Sequence, residues 1–267
     1  MTTDYSKYEF LKIEIADGIA VVTMNRPEKL NAPTSDKELG DVWADLAGDE
    51  RVRVAVLTGA GRAFCAGGDL EVMLANYRTE KGLRFYLELV ASARRLVDAM
   101  LGTQLPVIAA INGDAIGLGA TLALLCDMSV MGADARIGDP HVKLGLVAGD
   151  GGAVVWPLLV GPHRAKELLL RGNLLKGTAA GEIGLVNHVG PNEEGLPRAL
   201  EIAAEIAANP TWAVRFTKQA INKWLRQQAE SIFDASIAFE SLSAFTDDHG
   251  EAMEAMRERR PPKYTGT

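Results

Sequence analysis

The hydrophobic pattern of the first two thirds of the chain alternates between strands and helices. Leu11, Ile13 and Ile15 alternate with charged residues, which is the period-two pattern of a half-buried strand. Asp17-Gly18 then predicts a tight turn into a second strand. Later apolar runs predict strands, and apolar spacings of three and four residues predict helices. The predicted strands are 11–15, 19–24, 52–57, 107–111, 128–131 and 186–189, and the predicted helices are 39–46, 85–101, 120–125, 153–160 and 162–171.

Two polar positions mark the starts of predicted helices. Ser35 and Glu38 have the spacing of a capping box, in which each side chain accepts a hydrogen bond from the backbone of the first helical turn. Asp69 follows a glycine-rich loop, and its carboxylate can cap the next helix in the same way. We therefore expect one helix to begin at each of these two places.

The last third of the chain has a different pattern. From residue 196 onward no strand pattern appears, and the apolar spacing predicts helices that break at Asn209-Pro210. Strands alternating with helices, followed by helices alone, indicate an α/β core with a helical extension. We therefore predict a core over residues 1–195 and a C-terminal helical region over residues 196–267.

Composition and charge exclude several classes of protein. Hydrophobic residues make up 48% and charged residues 24% of the chain, which is typical of a globular protein. The net charge of −7 argues against nucleic-acid binding, which usually needs a basic surface. Two cysteines cannot form a disulfide framework, and no Cys/His cluster has the spacing of a metal site. No signal pattern or apolar membrane span is apparent, so we expect a soluble cytoplasmic protein without a metal.

Two glycine-rich turns each precede a predicted helix, at residues 61–70 and 111–119. Backbone N–H groups at the start of a helix are unpaired and point at whatever lies there. Two such turns could hold one oxygen atom between two N–H donors, which is an oxyanion hole. The alternative is a pair of tight turns whose glycines serve only close packing.

Several motifs along the chain match one family pattern in combination. They are Asn25-Arg26-Pro27 through Asn31-Ala32, residues 64–70, residues 110–119 with Cys126-Asp127, Gly151-Gly152 with residues 159–161, residues 180–188, and Arg259-Arg260-Pro261. Together they resemble the crotonase, or enoyl-CoA hydratase/isomerase, superfamily over nearly the whole chain. The combination is specific to the superfamily but not to one of its reactions.

The resemblance implies a fold, an assembly and a substrate. The fold would be a crotonase-like spiral of ββα turns, an α/β core whose C-terminal helices form a homotrimer that often pairs into a hexamer. The substrate would be an acyl-CoA thioester, so coenzyme A is part of the substrate and no separate cofactor is expected. Neither a nucleic acid nor a membrane is implied as a partner.

The resemblance also implies binding residues. The thioester oxygen would accept hydrogen bonds from the N–H groups of Gly68 and Leu118; the second position is commonly glycine, so the leucine side chain could narrow the pocket. Arg26 and Lys29 match the place of contacts to the CoA phosphates, although lone basic residues are often plain surface charges. The CoA-binding residues implied in this way are Arg26, Lys29, Ala66, Gly67, Gly68, Asp69, Leu70, Gly117 and Leu118.

Two departures from the family pattern concern catalysis. The resemblance implies one catalytic glutamate two residues after Gly119, where this chain has Thr121, and a second directly after Pro140, where it has His141. Threonine cannot act as a base near neutral pH. Two-glutamate hydration is therefore not expected of this chain.

A histidine and an aspartate could supply the missing chemistry. His141 has an unperturbed pKa suited to acid–base catalysis, and Asp150 follows nine residues later in a glycine-rich loop. If Asp150 accepts from one imidazole nitrogen, it orients the other toward the substrate and raises the pKa of the imidazole. Asp150 could instead be an anionic cap of the following helix. Glu240, on a predicted helix of the C-terminal region, is a candidate additional acid.

Three functions follow from these residues. The leading one is an enoyl-CoA hydratase or isomerase that stabilises a thioester enolate with Gly68 and Leu118 and moves protons with His141 and Asp150. A His/Asp pair also resembles a branch of the superfamily that hydrolyses carbon–carbon bonds in β-diketones. The third is an acyl-CoA-binding protein that is no longer catalytic. The acyl chain cannot be deduced from the sequence.

Overall fold

The computed structural model describes residues 3–33 and 36–267. Its helices are α1 (Asp36–Gly48), α2 (Leu70–Asn76), α3 (Glu80–Gly102), α4 (Leu118–Leu125), α5 (Gly152–Arg171), α6 (Gly177–Glu182), α7 (Gly195–Ala207), α8 (Thr211–Ser243) and α9 (Asp247–Glu258). Its strands are β1 (Leu11–Ala16), β2 (Ile19–Met24), β3 (Val54–Gly59), β4 (Ala63–Cys65), β5 (Val107–Ile111), β6 (Asp114–Ile116), β7 (Met128–Gly132), β8 (Arg136–Gly138), β9 (Leu175–Lys176) and β10 (His188–Gly190).

The first sheet has the strand order β1-β2-β3-β5-β7-β10, and its strands are parallel except for the β1–β2 hairpin. Every residue of β3 and β5 is buried, as expected for parallel strands that are covered on both faces. Val54 and Val56 pack with Ile202 of α7 on one face, whereas Ala55 and Leu57 belong to the larger core on the other. Helix α7 is therefore part of the packing of this sheet, and the division at residue 195 stays a prediction.

The second sheet, β4-β6-β8-β9, consists of strands of two or three residues that the hydrophobic pattern does not predict. Each of β4, β6 and β8 follows a long strand of the first sheet and precedes a helix. The chain thus repeats a ββα unit, which confirms the expected α/β spiral with a helical C-terminal region. Segments this short, set among glycines, are too brief to show a period of two.

Most of the longer predicted elements are confirmed, with shifts that have local causes. The strands at 19–24 and 107–111 begin and end as predicted, and β3 begins two residues later than expected. Helix α3 begins at Glu80 because the hydroxyl of Thr79 accepts a hydrogen bond from the N–H of Gly82. Asp69 caps α2 as predicted, accepting from the N–H of Glu71, whereas the predicted cap Ser35 lies outside the described residues.

Helix α4 is part of the core, since all of its residues after Leu118 are buried. It is apolar but only eight residues long. Among the described residues, no helix is both long and apolar enough to cross a membrane.

Helix α8 is joined to the core by a buried ion pair. The Nζ atom of Lys218 lies 2.7 Å from the Oδ2 atom of Asp127 and donates to the carbonyl of Leu105 at 2.7 Å. Asp127 also accepts from the N–H of Val107 at 2.7 Å, so the carboxylate ties the end of α4 to the start of β5. Burial raises the pKa of Asp127, and the ammonium of Lys218 opposes this effect.

We predict that Lys218→Met destabilises the fold by about 2–3 kcal/mol, because it leaves the Asp127 carboxylate without its cation. The control is Lys223→Met, which removes an exposed lysine from the same helix. Urea unfolding near neutral pH measures the difference. Equal midpoints for the two variants would show that the ion pair contributes nothing to stability.

Candidate active site

Two backbone turns meet at the carboxyl ends of β4 and β6. These strands pair in parallel, so the turns after them lie side by side. Gly67 has a φ of +83° and Gly117 a φ of +57°, which glycine adopts without strain. A Cβ atom on Gly67 would lie 2.9 Å from the carbonyl oxygen of Ile116 and 3.8 Å from the nitrogen of Leu118. Glycine therefore allows the loop of Gly68 to lie against the start of α4.

The N–H groups of Gly68 and Leu118 are available to a ligand. Leu118 is the first residue of α4, so its N–H has no partner within the helix. Its neighbour Gly117 donates to the carbonyl of Gly138 at 2.9 Å, which ties the turn to β8. Within residues 3–33 and 36–267, neither the N–H of Gly68 nor that of Leu118 donates to a protein oxygen. The two N–H groups proposed from the sequence are thus adjacent and unused.

The basic residues predicted to contact CoA lie beside the first turn. The Nζ atom of Lys29 lies 3.4 Å from Asp69 and 2.7 Å from Glu71, and Arg26 lies 3.8 Å from Asp69. Ala66 donates to the carbonyl of Leu30 at 3.0 Å, which joins the two loops. The structure therefore brings Arg26 and Lys29 to residues 66–70, where acidic neighbours already pair with them.

His141 packs against the second turn, at Gly117. It begins the 3₁₀ turn His141–Leu144 after β8, and a Cβ atom on Gly117 would lie 3.3 Å from its Cε1 atom. Its Nδ1 atom is hydrogen-bonded to the carboxylate of Asp139, and its backbone N–H donates to the same carboxylate at 3.2 Å. Asp139 therefore holds the imidazole and leaves Nε2 facing away from it.

Asp150 faces the other nitrogen of the same ring. Its Oδ2 atom lies 3.7 Å from the Nε2 atom of His141, which is too far for a direct hydrogen bond. Its Oδ1 atom accepts from the hydroxyl of Thr121 at 3.2 Å. The sequence predicts that Asp150 accepts from one imidazole nitrogen; in the structure Asp139 is hydrogen-bonded to Nδ1, and Asp150 lies across a gap from Nε2.

Asp139 was missed in the sequence, although it left a local signal. The side chain of an aspartate often accepts a hydrogen bond from the backbone N–H two positions further along the chain, and the carboxylate of Asp139 accepts one from His141 in this way. The spacing Asp139-Pro140-His141 could therefore have indicated a carboxylate beside the imidazole. Asp139 lies nearer to the imidazole of His141 than Asp150 does.

The carboxylates determine the charge of His141. Burial by itself would lower the pKa of the imidazole, but Asp139 and then Asp150 oppose this effect, and the pKa is held well above 6.5. The ring is therefore an imidazolium at neutral pH. An imidazolium can donate a proton but cannot accept one.

Helix α8 brings Glu240 to the same cluster. This residue is 6% exposed, and its Oε2 atom accepts from the N–H of Gly149 at 3.1 Å. Burial raises the pKa of Glu240 to about 8; His141 lowers it, whereas Asp150 and Asp139 raise it further. The candidate additional acid thus contacts the residue before Asp150 in the sequence, and its raised pKa favours the protonated carboxyl.

The cluster also has the donor types of a small metal site. One ligand atom each from Asp139, His141 and Asp150 lie within 4.8 Å of one another. A metal ligand must be a neutral imidazole, so an ion at Nε2 would first have to displace the proton that the raised pKa of His141 holds there.

The fold and site define an α/β spiral protein with a buried acid–base cluster beside two free N–H groups. A family model described as enoyl-CoA hydratase/isomerase matches residues 14–267, and the chain belongs to this family. It is similar to a short-chain-enoyl-CoA hydratase of Clostridium acetobutylicum (40% identity, covering 91% of this chain and 92% of the relative). It is also similar to a 1,2-epoxyphenylacetyl-CoA isomerase of Escherichia coli (33% identity, 97% and 99%).

A solved structure supports the same assignment. The crystal structure of an enoyl-CoA hydratase/isomerase from Mycobacterium paratuberculosis matches with a TM-score of 0.86 at 34% identity, covering 94% of this chain and 99% of that chain. Membership of the family is therefore established for this chain, whereas the reactions named for its relatives differ.

We predict that Asp139→Asn lowers the pKa of His141 more than Asp150→Asn does. Both variants remove a negative charge that favours the imidazolium, and Asp139 is the nearer charge. NMR titration of the His141 ring, assigned with His141→Gln, measures both shifts. A larger decrease in Asp150→Asn would assign the dominant electrostatic role to Asp150 instead.

Proposed function

We propose that the protein hydrates or isomerises an enoyl-CoA thioester with Asp150 and His141 as its proton-transfer pair. The observation that carries this proposal is the position of the pair, since His141 packs against Gly117, directly before the free N–H of Leu118. A base and an acid beside an N–H pair match the needs of enolate chemistry.

In this proposal the two turns bind the thioester. The carbonyl oxygen accepts from the N–H groups of Gly68 and Leu118, which stabilise the enolate as negative charge develops on that oxygen. The CoA portion lies along residues 66–70 and Gly117, with Arg26 and Lys29 toward its phosphates. Because these two basic side chains already pair with Asp69 and Glu71, CoA phosphates would have to compete for them.

Asp150 takes the place of a carboxylate that the resemblance implies at position 121. The Thr121 hydroxyl donates to Asp150, so the carboxylate lies about where a longer acidic side chain at 121 would reach. The gap of 3.7 Å between Asp150 and Nε2 of His141 allows one water molecule to contact both groups. Thr121 is then a positioning residue, and its lack of basicity does not prevent catalysis.

In hydration, Asp150 accepts one proton and His141 donates one, so the pair supplies and recovers the same number of protons. The water oxygen bonds to the β-carbon while its proton passes to the Asp150 carboxylate. The α-carbon takes a proton from the His141 imidazolium, which becomes neutral. Return of the proton from Asp150 to His141 restores the starting state. Isomerisation uses the same groups without water, removing a proton from one carbon and returning one to another.

A second candidate function is hydrolysis of a β-diketone. Asp139 orients His141 as the aspartate of a hydrolytic triad orients its histidine, with Nε2 left to activate water. This route needs the neutral imidazole. A protein that only binds acyl-CoA is disfavoured, because burying three carboxyl groups around one histidine is unfavourable without a chemical use.

We predict that His141→Ala lowers kcat for crotonyl-CoA hydration by at least about 100-fold, because it removes an acid–base group. Affinity for the CoA ester, measured by calorimetry, should change little, since the N–H donors are in the backbone. The control is His163→Ala, which removes an exposed histidine from α5.

Other outcomes contradict parts of the proposal. If affinity falls together with kcat, His141 is a binding or folding residue. If the native protein is inert on enoyl-CoA esters but cleaves a β-diketone, and both His141→Ala and Asp150→Asn abolish cleavage, the hydrolase is the correct function. Binding of CoA esters without turnover of either substrate class would leave only the acyl-CoA-binding function.

We also propose a homotrimer or a hexamer as the assembly. Trp212, Phe216 and Trp224 lie on α8 and are 53–60% exposed, although large aromatic side chains rarely stay in water on a monomer. Sedimentation at micromolar concentration should therefore give three or six times the mass of the chain. A monomer at that concentration would contradict this proposal.

A further inference from the structure

One face of α8 holds the loop that carries Asp150. The Oε2 atom of Glu240 accepts from the N–H of Gly149 at 3.1 Å, and the hydroxyl of Ser236 donates to the carbonyl of Gly149 at 3.0 Å. One turn further on, the hydroxyl of Ser243 accepts from the N–H of Val147 at 3.1 Å. Residues 236, 240 and 243 share a helix face, so the backbone before Asp150 depends on this face.

The contact between the loop and α8 leaves no space for another group. A Cβ atom on Gly149 would collide with the backbone oxygen of Ser236 and lie 2.7 Å from the Cβ atom of Glu240. Glu240 is 6% exposed and Asp150 is 7% exposed. Because both side chains are buried, solvent only weakly screens the coulombic interaction between Glu240 and Asp150.

The charges that face Glu240 are unbalanced. His141, Asp150 and Asp139 approach it from the loops after β8 and before α5, and the phenol of Tyr86 approaches from α3. The imidazolium of His141 is the one cation among these described groups. If Glu240 ionised, three carboxylates would compete for that single cation; burial and the neighbouring carboxylates instead raise the pKa of Glu240 to about 8.

We propose that Glu240 is a positioning residue of the active site that works as a neutral carboxylic acid. It holds the loop of Asp150 through Gly149 and leaves the imidazolium of His141 to Asp139 and Asp150. Ionised Glu240 adds a negative charge next to Asp150, so it opposes the ionised form of the base. This inference rests on the proposed function, because it takes Asp150 and His141 to be the proton-transfer pair.

The protonation of Glu240 can be measured without a substrate. Infrared spectra of the free protein should contain the carbonyl stretch of a protonated carboxylic acid at neutral pH, and this band should disappear as the pH rises through about 8. Glu240→Gln keeps the shape and the acceptor for Gly149 but should lack the band. Glu230→Gln, an exposed charge on the same helix, is the matched control and should retain it. Equal spectra for the native protein and Glu240→Gln would overturn the proposal.

The role of this proton is measured by the pH dependence of kcat/KM for crotonyl-CoA. In the native protein and in Glu230→Gln, activity should fall as the pH rises through the titration of Glu240. In Glu240→Gln the decrease that belongs to this titration should be lost, because the glutamine cannot ionise.

Failure of this inference differs from failure of the proposed function. A merely structural Glu240 would give active variants with the same pH profile as the native protein, and this result would overturn the inference alone. If the native protein does not turn over crotonyl-CoA, the proposed function fails on this probe, and the infrared titration still decides whether Glu240 is a neutral acid.

Discussion

The parallel pairing of three short strands determines where the two N–H groups and His141 lie. Strands β4, β6 and β8 are neighbours in one sheet, so the turns that follow them reach the same edge. Those turns carry Gly68, Leu118 and His141 respectively. Ligands of α/β proteins usually bind at the carboxyl ends of parallel strands, because loops from several strands converge there. If β6 slipped against β8, the bond from Gly117 to Gly138 would break and the imidazole would leave the N–H pair.

A second constraint is the electrostatic imbalance of the buried cluster. Three carboxyl groups surround one imidazole in a part of the protein where water is largely excluded. The cluster can remain buried only if some of its charges are neutralised by protons, and the raised pKa values of His141 and Glu240 describe this neutralisation. Groups that hold protons near neutral pH are the groups that can exchange them during a reaction. The same imbalance that opposes stability is therefore what the proposed proton transfer would use.

The sequence predicts the long elements of the fold better than the short ones. Strands β2 and β5 could be located to the residue because each is a run of five or six apolar positions bounded by turn residues. Strands β4 and β6 are only three residues long, and their pairing partner is a distant segment of the chain. Hydrophobic periodicity contains no information on such a pairing, although the glycines beside it already marked the two turns.

The site residues also differ in how far the sequence could indicate them. His141 could be found because it stands at a family-motif position, and Asp150 because it follows nine residues later in a glycine-rich loop. Glu240 could be found only as a candidate on a helix. The contact from Gly149 to Glu240 joins residues that are 91 positions apart, so no local pattern predicts it. The protonation states were also beyond the sequence, because each depends on burial and on the other charges at once.

The position of Asp150 shows how a carboxylate can lie next to position 121 although the residue at that position is a threonine. Chemistry depends on where an oxygen atom lies and on its charge, not on the chain position that supplies it. A Cβ atom on Gly151 would collide with the methyl group of Thr121 near 2.5 Å, so threonine and the glycine-rich loop fit against each other closely. The short side chain at 121 leaves room for the loop to approach, and the approach delivers Asp150 to the hydroxyl of Thr121. Substitution of glutamate alone at position 121 would bring a second carboxylate against Asp150 and force one of them to take up a proton. Thr121 and Asp150 therefore act together: the threonine leaves room for the loop, and the loop brings one carboxylate to the Nε2 side of His141.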